Sequence, residues 1–398
     1  MTNSGRKLRI AAVNSVNQGG ETYLEYLRAV LKHLPADCEV DVFQTENTGL
    51  TKQEAENFLG RIVNPASYGA FPLIDEGGYT HFIGNDAYAA RFVPESLRAI
   101  FISHGSAPMP ASSDYMFSDW TSFWDCIIGA SKGMTGMAAR GMSSYRHARW
   151  SGKLNVPGAA CRSDLRTTAF CPSTPLKFPG RVEEVAELEQ RSDFTVGILP
   201  TSVTAIRQSA VLYNSLADIV PTILEHFPEA RIVFRPYPAD LENPACQKWF
   251  EPLRTIPRLL LDETGRSSAE FYEESDVLIT DGSTGGVSYM LKRVIPPIYY
   301  IPEASLQDHI VSWFSDEINN KVLVAKTADE LREKIIECRA MKAENRLAYY
   351  RNYCDGDLYL EKDKASYIED ALFGQLEAFK RVDRVGRIFD PVASGGLQ

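Results

Sequence analysis

The sequence predicts an α/β protein made of two successive series of strands and helices, each forming a Rossmann-like domain. Short apolar runs alternate with longer amphipathic segments along most of the chain, a pattern typical of strands that alternate with helices. Such alternation favours parallel sheets. The length of 398 residues also exceeds the size at which a single hydrophobic core usually stops growing. We therefore expect two parallel-sheet domains of similar size.

The first series begins with an apolar run at residues 8–13, which predicts a strand, and continues with an amphipathic helix whose leucines lie on one face. Capping-box spacing at residues 51–54 predicts a second helix that runs through residue 59. Residues 132–140 predict a third helix. The further strands predicted in this half are residues 40–43, 81–84, 99–103 and 126–129.

A cluster of prolines marks the predicted boundary between the two series. Pro172, Pro175 and Pro179 lie close together and precede a charged segment, residues 182–191, that predicts a helix. The predicted units are residues 1–178, an N-terminal Rossmann-like domain, residues 179–365, a C-terminal Rossmann-like domain, and residues 366–398, a helix and tail that pack back on the N-terminal domain.

The second series repeats the alternation of strands and helices. A long helix is predicted at residues 209–226, and capping-box spacing predicts helices that start after Ser267 and Thr327. A last amphipathic helix is predicted at residues 367–379. The strands predicted in this half are residues 194–199, 231–235, 277–279, 298–301 and 322–324.

The segment 277–291 predicts a buried strand, a tight loop and a helix, with the sequence Asp-Gly-Ser-Thr-Gly-Gly in the loop. The first turn of a helix carries free backbone N–H groups, which form a natural anion site. Ser283 and Thr284 add two hydroxyl donors, and the glycines let a ligand approach the backbone. We expect a phosphate to bind here. The alternative is a small polar loop with a structural role alone.

His104 is the candidate catalytic residue. It follows the strand predicted at residues 99–103, at the sheet edge where open α/β proteins place their ligands. Of the six histidines, it is the one that a glycine-containing loop presents at the end of a strand. A histidine can act as a general base near neutral pH. The alternative is a histidine with a structural role.

Charge, cysteine use and hydropathy disfavour several classes of function. The formal net charge of −10 argues against nucleic-acid binding, because phosphate backbones require dense lysine and arginine. The seven cysteines are scattered and form no C-x-x-C pair, so we expect neither a disulfide framework nor a zinc site. No apolar run is long enough to cross a bilayer, and the N-terminus has no signal pattern, so we expect a cytoplasmic protein.

The tract 133–153 carries four basic residues, Arg140, Arg146, Arg149 and Lys153. Clustered positive charge attracts anions, so this tract is a candidate surface for an anionic acceptor or for lipid headgroups. Peripheral contact of this kind would bring the protein to the inner face of the cell membrane. A solvated basic face is the alternative.

Four loops follow predicted strands and therefore lie at the carboxyl edges of their sheets. They begin at His104, Pro200, Arg235 and Asp281. If the two sheets face each other across a cleft, these loops supply a base, a guanidinium for bidentate phosphate contact, and hydroxyl donors. Such a layout suits transfer from a nucleotide donor, because the leaving phosphate must be held as its bond breaks.

Four segments also occur in the order and form of known motifs. They are residues 102–105 (Ile-Ser-His-Gly), residues 158–164 (Gly-Ala-Ala-Cys-Arg-Ser-Asp), residues 199–201 (Leu-Pro-Thr) and residues 275–284 (Ser-Asp-Val-Leu-Ile-Thr-Asp-Gly-Ser-Thr). In this respect the chain resembles the CDP-glycerol glycerophosphotransferases and related capsule polysaccharide transferases. The segments are similar to that family's His-Gly motif, Gly-x-Pro-Arg-x-Asp segment, Ala-Pro-Thr loop and Ser-Asp-x-Leu-Ile-Thr-Asp-Tyr-Ser-Ser block.

The resemblance implies a GT-B fold, in which two Rossmann-like domains face a central cleft, with the acceptor in the first domain and the nucleotide donor in the second. It implies transfer of a sugar or polyol phosphate from a CMP- or CDP-linked donor to a polysaccharide or lipid-linked acceptor, as in capsule or lipopolysaccharide synthesis. His104 would be the base. No cofactor or metal is expected, because helix-start dipoles can replace a metal ion. The implied donor-binding residues are Thr201, Ser202, Arg207, Arg235, Tyr237, Asp281, Ser283, Thr284 and Gly285.

The chain departs from the family's pattern in three places. Tyr237 stands where the family has a histidine before proline, so that phosphate contact would pass to Arg235 or to the tyrosine hydroxyl. Gly282 replaces a tyrosine, and Cys161 replaces a proline. These changes weaken an assignment to glycerol phosphate and leave donors such as CMP-Kdo and CMP-sialic acid open. A nucleotide-sugar epimerase or hydrolase of the same layout, or a non-catalytic nucleotide-binding module, also stays open.

Overall fold

A computed structural model of the chain divides it into two compact units. Unit 1 comprises residues 1–177 and 358–398, and unit 2 comprises residues 178–357. The structure describes residues 8–14, 20–44, 60–63, 71–85, 89–103, 119–129, 132–144, 162, 167–173, 185–188, 192–203, 210–264, 266–307, 322–357 and 364–392.

The strands of the described residues are numbered in chain order. They are β1 (Arg9–Asn14), β2 (Glu39–Gln44), β3 (Gly60–Val63), β4 (His81–Gly84), β5 (Arg98–Ile102), β6 (Cys126–Gly129), β7 (Thr167–Pro172), β8 (Thr195–Leu199), β9 (Arg231–Phe234), β10 (Leu259–Leu261), β11 (Val277–Thr280), β12 (Ile298–Tyr300), β13 (Leu323–Ala325), β14 (Lys380–Asp383) and β15 (Ile388–Phe389).

The α-helices of the described residues are numbered in the same way. They are α1 (Gly20–Leu31), α2 (Phe71–Glu76), α3 (Met134–Ser144), α4 (Val211–His226), α5 (Pro238–Leu241), α6 (Gln247–Leu253), α7 (Ser268–Glu274), α8 (Gly285–Arg293), α9 (Ala328–Ala340), α10 (Ala343–Asp357) and α11 (Lys364–Phe373).

The described strands of unit 1 form a sheet in the order β15-β14-β7-β6-β5-β4-β1-β2-β3. Strands β1 to β7 pair in parallel, whereas β14 pairs antiparallel with β7 and β15 pairs antiparallel with β14. The strand order reverses direction between β1 and β4, as in doubly wound α/β folds. The expected parallel sheet is therefore present, with an antiparallel edge added by the C-terminal segment.

Helices cover both faces of this sheet. Side chains of α2 and α3 pack into a core rich in aromatic rings, in which Phe82 and Trp124 stack with their ring centroids 5.6 Å apart. Side chains of α1 and α11 pack into the core on the opposite face. Truncation of a buried aromatic side chain of this kind costs about 3–5 kcal/mol, so the two cores account for much of the stability of unit 1.

The C-terminal end of α11 is anchored to the amino ends of two strands. Arg98 donates from Nη1 to the carbonyl of Leu372 over 2.7 Å and from Nη2 to the carbonyl of Gly374 over 2.6 Å. His81 Nε2 lies 3.0 Å from the same Leu372 carbonyl. A cation at the last turn of a helix satisfies free carbonyls and opposes the negative end of the helix dipole. Helix α11 is thus held on the sheet of unit 1.

The described strands of unit 2 form a parallel sheet in the order β10-β9-β8-β11-β12-β13. Numbered from the start of the unit, this is the order 3-2-1-4-5-6 of a Rossmann fold. The direction of winding reverses between β8 and β11, which are hydrogen-bonded neighbours. That reversal determines where the loops of the unit meet.

Several expectations from the sequence need correction. Residues 185–188, inside the helix expected at residues 182–191, have no regular secondary structure. They are held against α10 instead, because Arg346 donates to the carbonyl of Ala186 and the Ala343 N–H donates to the carboxylate of Glu187 at 3.1 Å. Pro172, assigned to the linker, ends strand β7.

The C-terminal helix also ends earlier than expected. The predicted helix at residues 367–379 corresponds to α11, which ends at Phe373, followed by a single 3-10 turn at Leu376–Ala378. The helix expected at residues 51–59 lies outside the described residues. Within the described residues, no helix combines the length and the apolar character that crossing a lipid bilayer requires.

Candidate functional site

The candidate site lies at the reversal of strand order in unit 2. At such a point the loops after two neighbouring strands turn to opposite faces of the sheet, which leaves a crevice outside their carboxyl ends. Here those loops begin after Leu199 of β8 and after Thr280 of β11. The Thr280 hydroxyl donates to the Leu199 carbonyl over 2.7 Å and ties the two strand ends together. Two of the loops singled out from the sequence therefore lie side by side.

The loop after β11 leads directly into α8, as the sequence predicts. Val277 and its two successors are fully buried in the centre of the sheet, which explains the uninterrupted apolar run. Helix α8 begins at Gly285, with Thr284 as its N-cap and no side-chain hydrogen bond to the cap. The Ser283 hydroxyl accepts the Gly285 N–H at 3.1 Å. The positive end of this helix therefore faces the loop that carries both hydroxyls.

The glycines of this loop differ in whether close packing requires them. A Cβ added to Gly285 would lie 2.3 Å from Leu199 Cδ2, and one added to Gly286 would lie 2.4 Å from the Tyr299 hydroxyl oxygen. Close packing of α8 on the sheet therefore requires both glycines. A Cβ added to Gly282 would meet nothing nearer than the Thr201 hydroxyl, at 3.9 Å. Packing does not require a glycine there, so Gly282 leaves open space beside the loop.

Asp281 holds the two loops together from within the protein. Its carboxylate is 3% exposed, and Oδ1 accepts the Thr201 N–H at 2.8 Å and the Thr201 hydroxyl at 2.5 Å. Oδ2 accepts the Leu212 N–H at 3.4 Å, in the first turn of α4. Burial raises the pKa of Asp281, and the hydrogen bonds from Thr201 and Leu212 oppose that rise. The contacts of Asp281 give it a positioning role, with its carboxylate directed inward.

Asp240 holds the start of the same loop from the other side, and the sequence does not indicate this role. This carboxylate has no exposed surface. It accepts the Ser202 hydroxyl at 3.0 Å, the Val203 N–H at 3.2 Å and the Tyr213 hydroxyl at 2.7 Å. The local sequence Pro-Ala-Asp-Leu reads as an acidic residue in the first turn of an exposed helix, and nothing in it indicates a partner 38 residues away.

The hydroxyls of Thr201 and Ser202 are engaged by these two carboxylates. A hydroxyl has one proton to donate, and each of these protons goes to an aspartate. Neither side chain can donate to a phosphate in this arrangement. Both residues remain predicted donor-binding positions, but the described contacts favour a role for their backbone and for the shape of the loop.

Arg235 is engaged in a similar way. Its side chain is 14% exposed, and its guanidinium donates to the carbonyls of Ser267 and Arg266 at 3.1 and 2.5 Å and lies 3.5 Å from Asp262. The guanidinium also lies over the Phe271 ring, 5.5 Å from its centroid. Burial lowers the pKa of Arg235, and Asp262 opposes that change. These contacts favour a structural role at the start of α7 over the expected bidentate contact with phosphate.

Tyr237 precedes α5 and acts as its N-cap residue, with its carbonyl accepting the Asp240 N–H at 2.9 Å. The side chain is half-buried. Its assignment to donor binding stays a prediction. Two further predicted residues, His104 and Arg207, lie outside the described residues. The strand before His104 is β5, and the Ser103 N–H extends the sheet pairing by donating to the Ile128 carbonyl at 3.2 Å.

Ser283 and Thr284 are the predicted side chains whose hydroxyl protons remain available. Both residues are half-buried. Within the described part of the chain, neither hydroxyl donates to a protein acceptor, and the Ser283 oxygen accepts only the Gly285 N–H. Two free O–H groups at the positive end of a helix, beside the open space at Gly282, form the arrangement that an anionic oxygen requires.

The arginine in the segment 158–164 has a different environment from the loops of unit 2. Arg162 is 3% exposed in unit 1. It donates to the carbonyl of Leu97 at 3.0 Å and to the carboxylate of Asp125 at 2.5 Å. This buried guanidinium ties together the residues that immediately precede β5 and β6. Among the described residues, no group of three or more His, Cys, Asp or Glu side chains is placed to hold a metal ion.

No protein-family model matches the chain, and no curated protein matches it either. Solved structures do match. The Wall Teichoic Acid Polymerase TagF is similar over 93% of this chain and 89% of its own, with a TM-score of 0.56 and 14% identity. A variant of TagF soaked with CDPG for 30 minutes is similar over 92% of this chain and 88% of its own, with a TM-score of 0.53 and 13% identity.

The S. aureus MnaA-UDP co-structure is similar over 92% of this chain and 98% of its own, with a TM-score of 0.53 and 9% identity. At identities this low, the likeness shows the fold alone. It extends over nearly the whole chain, and these neighbours have the GT-B fold. The fold class expected from the sequence is therefore confirmed: this is an α/β chain of the GT-B type, with two Rossmann-like units.

Proposed function

We propose that the chain is a transferase that moves a sugar or polyol phosphate from a CMP- or CDP-linked donor to a cell-surface polysaccharide or a lipid-linked acceptor. One observation carries this proposal. The segment 275–284, which resembles the donor block of the glycerophosphotransferases, forms β11 and the loop before α8, at the reversal of strand order between β8 and β11. Nucleotides bind at this position in open α/β sheets.

The chemistry of the loop supports a phosphate as the group that is held. A departing nucleotide phosphate gains negative charge as its bond breaks, so donors fixed in advance around it lower the barrier. The hydroxyls of Ser283 and Thr284 are free to donate, and a hydrogen bond to a charged oxygen contributes about 1.5–3 kcal/mol. The start of α8 adds roughly 0.3–1 kcal/mol for an anion near its first turn.

The contacts of the two buried aspartates support the same assignment. Asp281 and Asp240 hold residues 201–203, where the loop after β8 begins, from two sides, so this part of the crevice wall is fixed before a ligand arrives. Asp281 also accepts an N–H at the start of α4, and that helix start is therefore occupied by a carboxylate. An anionic ligand at this edge is directed to the start of α8.

The assignments of a cytidine base and of the acceptor class rest on the sequence resemblance. One similar solved structure was soaked with CDPG and another is a co-structure with UDP, so a pyrimidine nucleotide is the first donor to test. His104 would remove the proton from the acceptor hydroxyl, and we propose that this needs no metal ion. Work on a lipid-linked or surface-polymer acceptor would take place at the inner face of the cell membrane.

A panel of donors tests the proposal. CDP-glycerol, CMP-Kdo, CMP-sialic acid and UDP-sugars are each supplied with and without candidate acceptors, with and without EDTA, and nucleotide release is measured. We expect a cytidine donor to be used, with turnover that EDTA leaves unchanged. Release of free sugar and nucleotide without an acceptor would identify a hydrolase, and recovery of an isomeric nucleotide sugar would identify an epimerase. Binding without any turnover would identify a non-catalytic module.

His104 is tested with a matched pair of variants. His104→Ala should lower turnover of the preferred donor by about 10²–10⁴-fold, the usual contribution of a general base. His226→Ala is the control, because His226 is an exposed histidine on α4 whose ring Nδ1 lies 3.0 Å from the Thr222 carbonyl of its own helix, where it can donate. Equal turnover of the two variants would show that His104 is not the base.

A further inference from the structure

A surface of unit 1, far along the chain from the nucleotide loops, combines positive charge with exposed apolar side chains. The β14–β15 hairpin carries Ile388, Phe389 and, just after it, Val392, which are 49%, 36% and 60% exposed. Four basic residues belong to the same hairpin, namely Lys380, Arg381, Arg384 and Arg387. We refer to these seven residues as the hairpin patch.

The hairpin is fixed in shape. The Asp383 carboxylate accepts the backbone N–H groups of Val385 and Arg387 at 3.0 and 2.8 Å and the Arg387 side chain at 2.6 Å. Gly386, with a φ of +81°, closes the turn, and a Cβ there would lie 2.3 Å from the carbonyl of Ala139 in α3. The turn is thus packed against a helix, and the patch is presented in a defined position.

This packing brings together two parts of the sequence. Helix α3 belongs to the basic tract 133–153, and its exposed Arg140 adjoins the residue that the turn contacts. Arg381 and Arg387 lie over the Phe389 ring, 5.8 and 5.9 Å from its centroid. Basic side chains therefore surround an exposed aromatic ring in a protein whose formal net charge is −10.

Protection of a sheet edge explains only part of this arrangement. Basic residues beside an edge strand oppose pairing with other chains, but the edge strand β15 itself consists of exposed Ile388 and Phe389, which work against that protection. A soluble polyanion would use the charges and leave the apolar side chains in water. An anionic membrane surface accounts for both the basic and the apolar residues, because its headgroups attract the basic side chains while apolar and aromatic side chains enter the interface.

We propose that the hairpin patch, together with Arg140, is a docking surface for an anionic lipid membrane. Phe389 pairs with Arg381 and Ile388 pairs with the buried Val382, so these two side chains project from opposite faces of the edge strand. The membrane therefore meets this strand edge-on, with Phe389 and Ile388 in the headgroup region on either side and the neighbouring arginines in contact with lipid phosphates. The inference goes beyond the proposed transfer reaction and is independent of it. A protein held in this way would meet acceptors that are themselves attached to the membrane.

Vesicle sedimentation tests the proposal with the full chain. Vesicles of phosphatidylcholine, with or without phosphatidylglycerol, are the probes. We expect binding to the vesicles that contain phosphatidylglycerol, weakened by added salt. Lys380→Glu with Arg384→Glu should lower the partition coefficient by about 25-fold or more, because each basic residue near an anionic surface contributes about fivefold. Ile388→Ser with Phe389→Ser should lower it by at least about tenfold.

Controls in unit 2 separate this surface from general effects of charge and exposure. Lys326→Glu and Ile336→Ser change an exposed lysine and a 52% exposed isoleucine, and both should bind vesicles as the unchanged chain does. Val392→Ser provides a further hairpin variant if the double apolar variant does not fold, and it should bind more weakly.

Two results would overturn the proposal. One is equal binding by the hairpin variants and the controls, or equal binding to both kinds of vesicle. The other is a dimer in solution that Ile388→Ser with Phe389→Ser converts to a monomer without any vesicle binding, which would make the patch an interface between two copies. Because vesicle binding requires no turnover, either result leaves the proposed transfer reaction standing.

Discussion

Replacement of Asp281 by alanine is expected to loosen both loops of the candidate site. The carboxylate accepts three donors, the Thr201 N–H, the Thr201 hydroxyl and the Leu212 N–H. Leu212 is fully buried, so its N–H would lose its acceptor without gaining water, at about 1–3 kcal/mol. Thr201 is half-buried, and its groups recover part of their hydration.

The net effect follows from these contacts and from the burial of the charge. Burial raises the pKa of Asp281, which means that the charged carboxylate is costly to bury. Its removal eliminates that cost and so recovers part of the lost stability. We expect Asp281→Ala to lower the free energy of unfolding by about 3 kcal/mol, which for a unit of this size lowers Tm by roughly 6–12 °C. The loss should be concentrated at residues 200–203 and at the start of α4.

Chemical denaturation and amide hydrogen exchange measure both the size and the location of this effect. Asp218→Ala is the matched control, because Asp218 is an exposed aspartate on α4 and its replacement should change stability by no more than about 0.5 kcal/mol. If Asp281→Ala were as stable as this control, with unchanged exchange at residues 200–203, the inward-facing role of Asp281 would be refuted.

Other variants test the remaining assignments. Ser283→Ala should weaken binding of CMP or CDP by about 10–100-fold, measured by calorimetry, because the hydroxyl proton is available to the ligand. The hydroxyl oxygen accepts the Gly285 N–H at the start of α8, so the free energy of unfolding should also fall, by about 1 kcal/mol. Gly285→Ala should destabilise the chain by about 1–3 kcal/mol, because its Cβ would lie 2.3 Å from Leu199. Gly282→Ala should fold normally, because its Cβ would lie 3.9 Å from the nearest neighbour, the Thr201 hydroxyl. The pKa of Asp281 is raised in the folded state, so the wild-type chain should lose stability relative to Asp281→Asn as pH rises from the ordinary aspartate pKa through the folded one. Burial of Asp383 would raise its pKa, but hydrogen bonds from the hairpin lower it, so the advantage of the wild-type chain over Asp383→Asn should disappear as pH falls through that lowered pKa.

The sequence predicts best where one segment determines its own structure. The strand and helix around residues 277–291 combine an apolar run with glycines and small hydroxyl residues, and the structure forms β11 and α8 there. The capping box at Ser267 is likewise local, and both of its hydrogen bonds are present, to and from Glu270. Local signals of this kind need no knowledge of the rest of the chain.

The elements that the sequence did not predict depend on distant partners. Strand β14 has the sequence Lys-Arg-Val-Asp, which shows almost no apolar pattern, and it becomes a strand by pairing with β7. Strand β7 contains Pro172, which reads as part of a linker. In unit 2, the roles of Asp240 and Arg235 depend on residues 27 to 38 positions away. Spacing along one segment carries no information about such contacts.

The structure also reduces the number of candidate side chains that have a donor available for a nucleotide. Thr201, Ser202 and Arg235 offer suitable chemical groups, but in the structure those groups are directed to protein partners. Ser283 and Thr284 keep their donors available at the start of a helix. A sequence shows which donors exist, and the fold decides which of them a ligand can reach.

A crystal structure of the protein with CMP would show where the nucleotide phosphate binds. We expect the phosphate to lie within about 3 Å of the Ser283 and Thr284 hydroxyl oxygens, at the start of α8. A phosphate bound elsewhere, with both hydroxyls left without a ligand, would contradict this expectation.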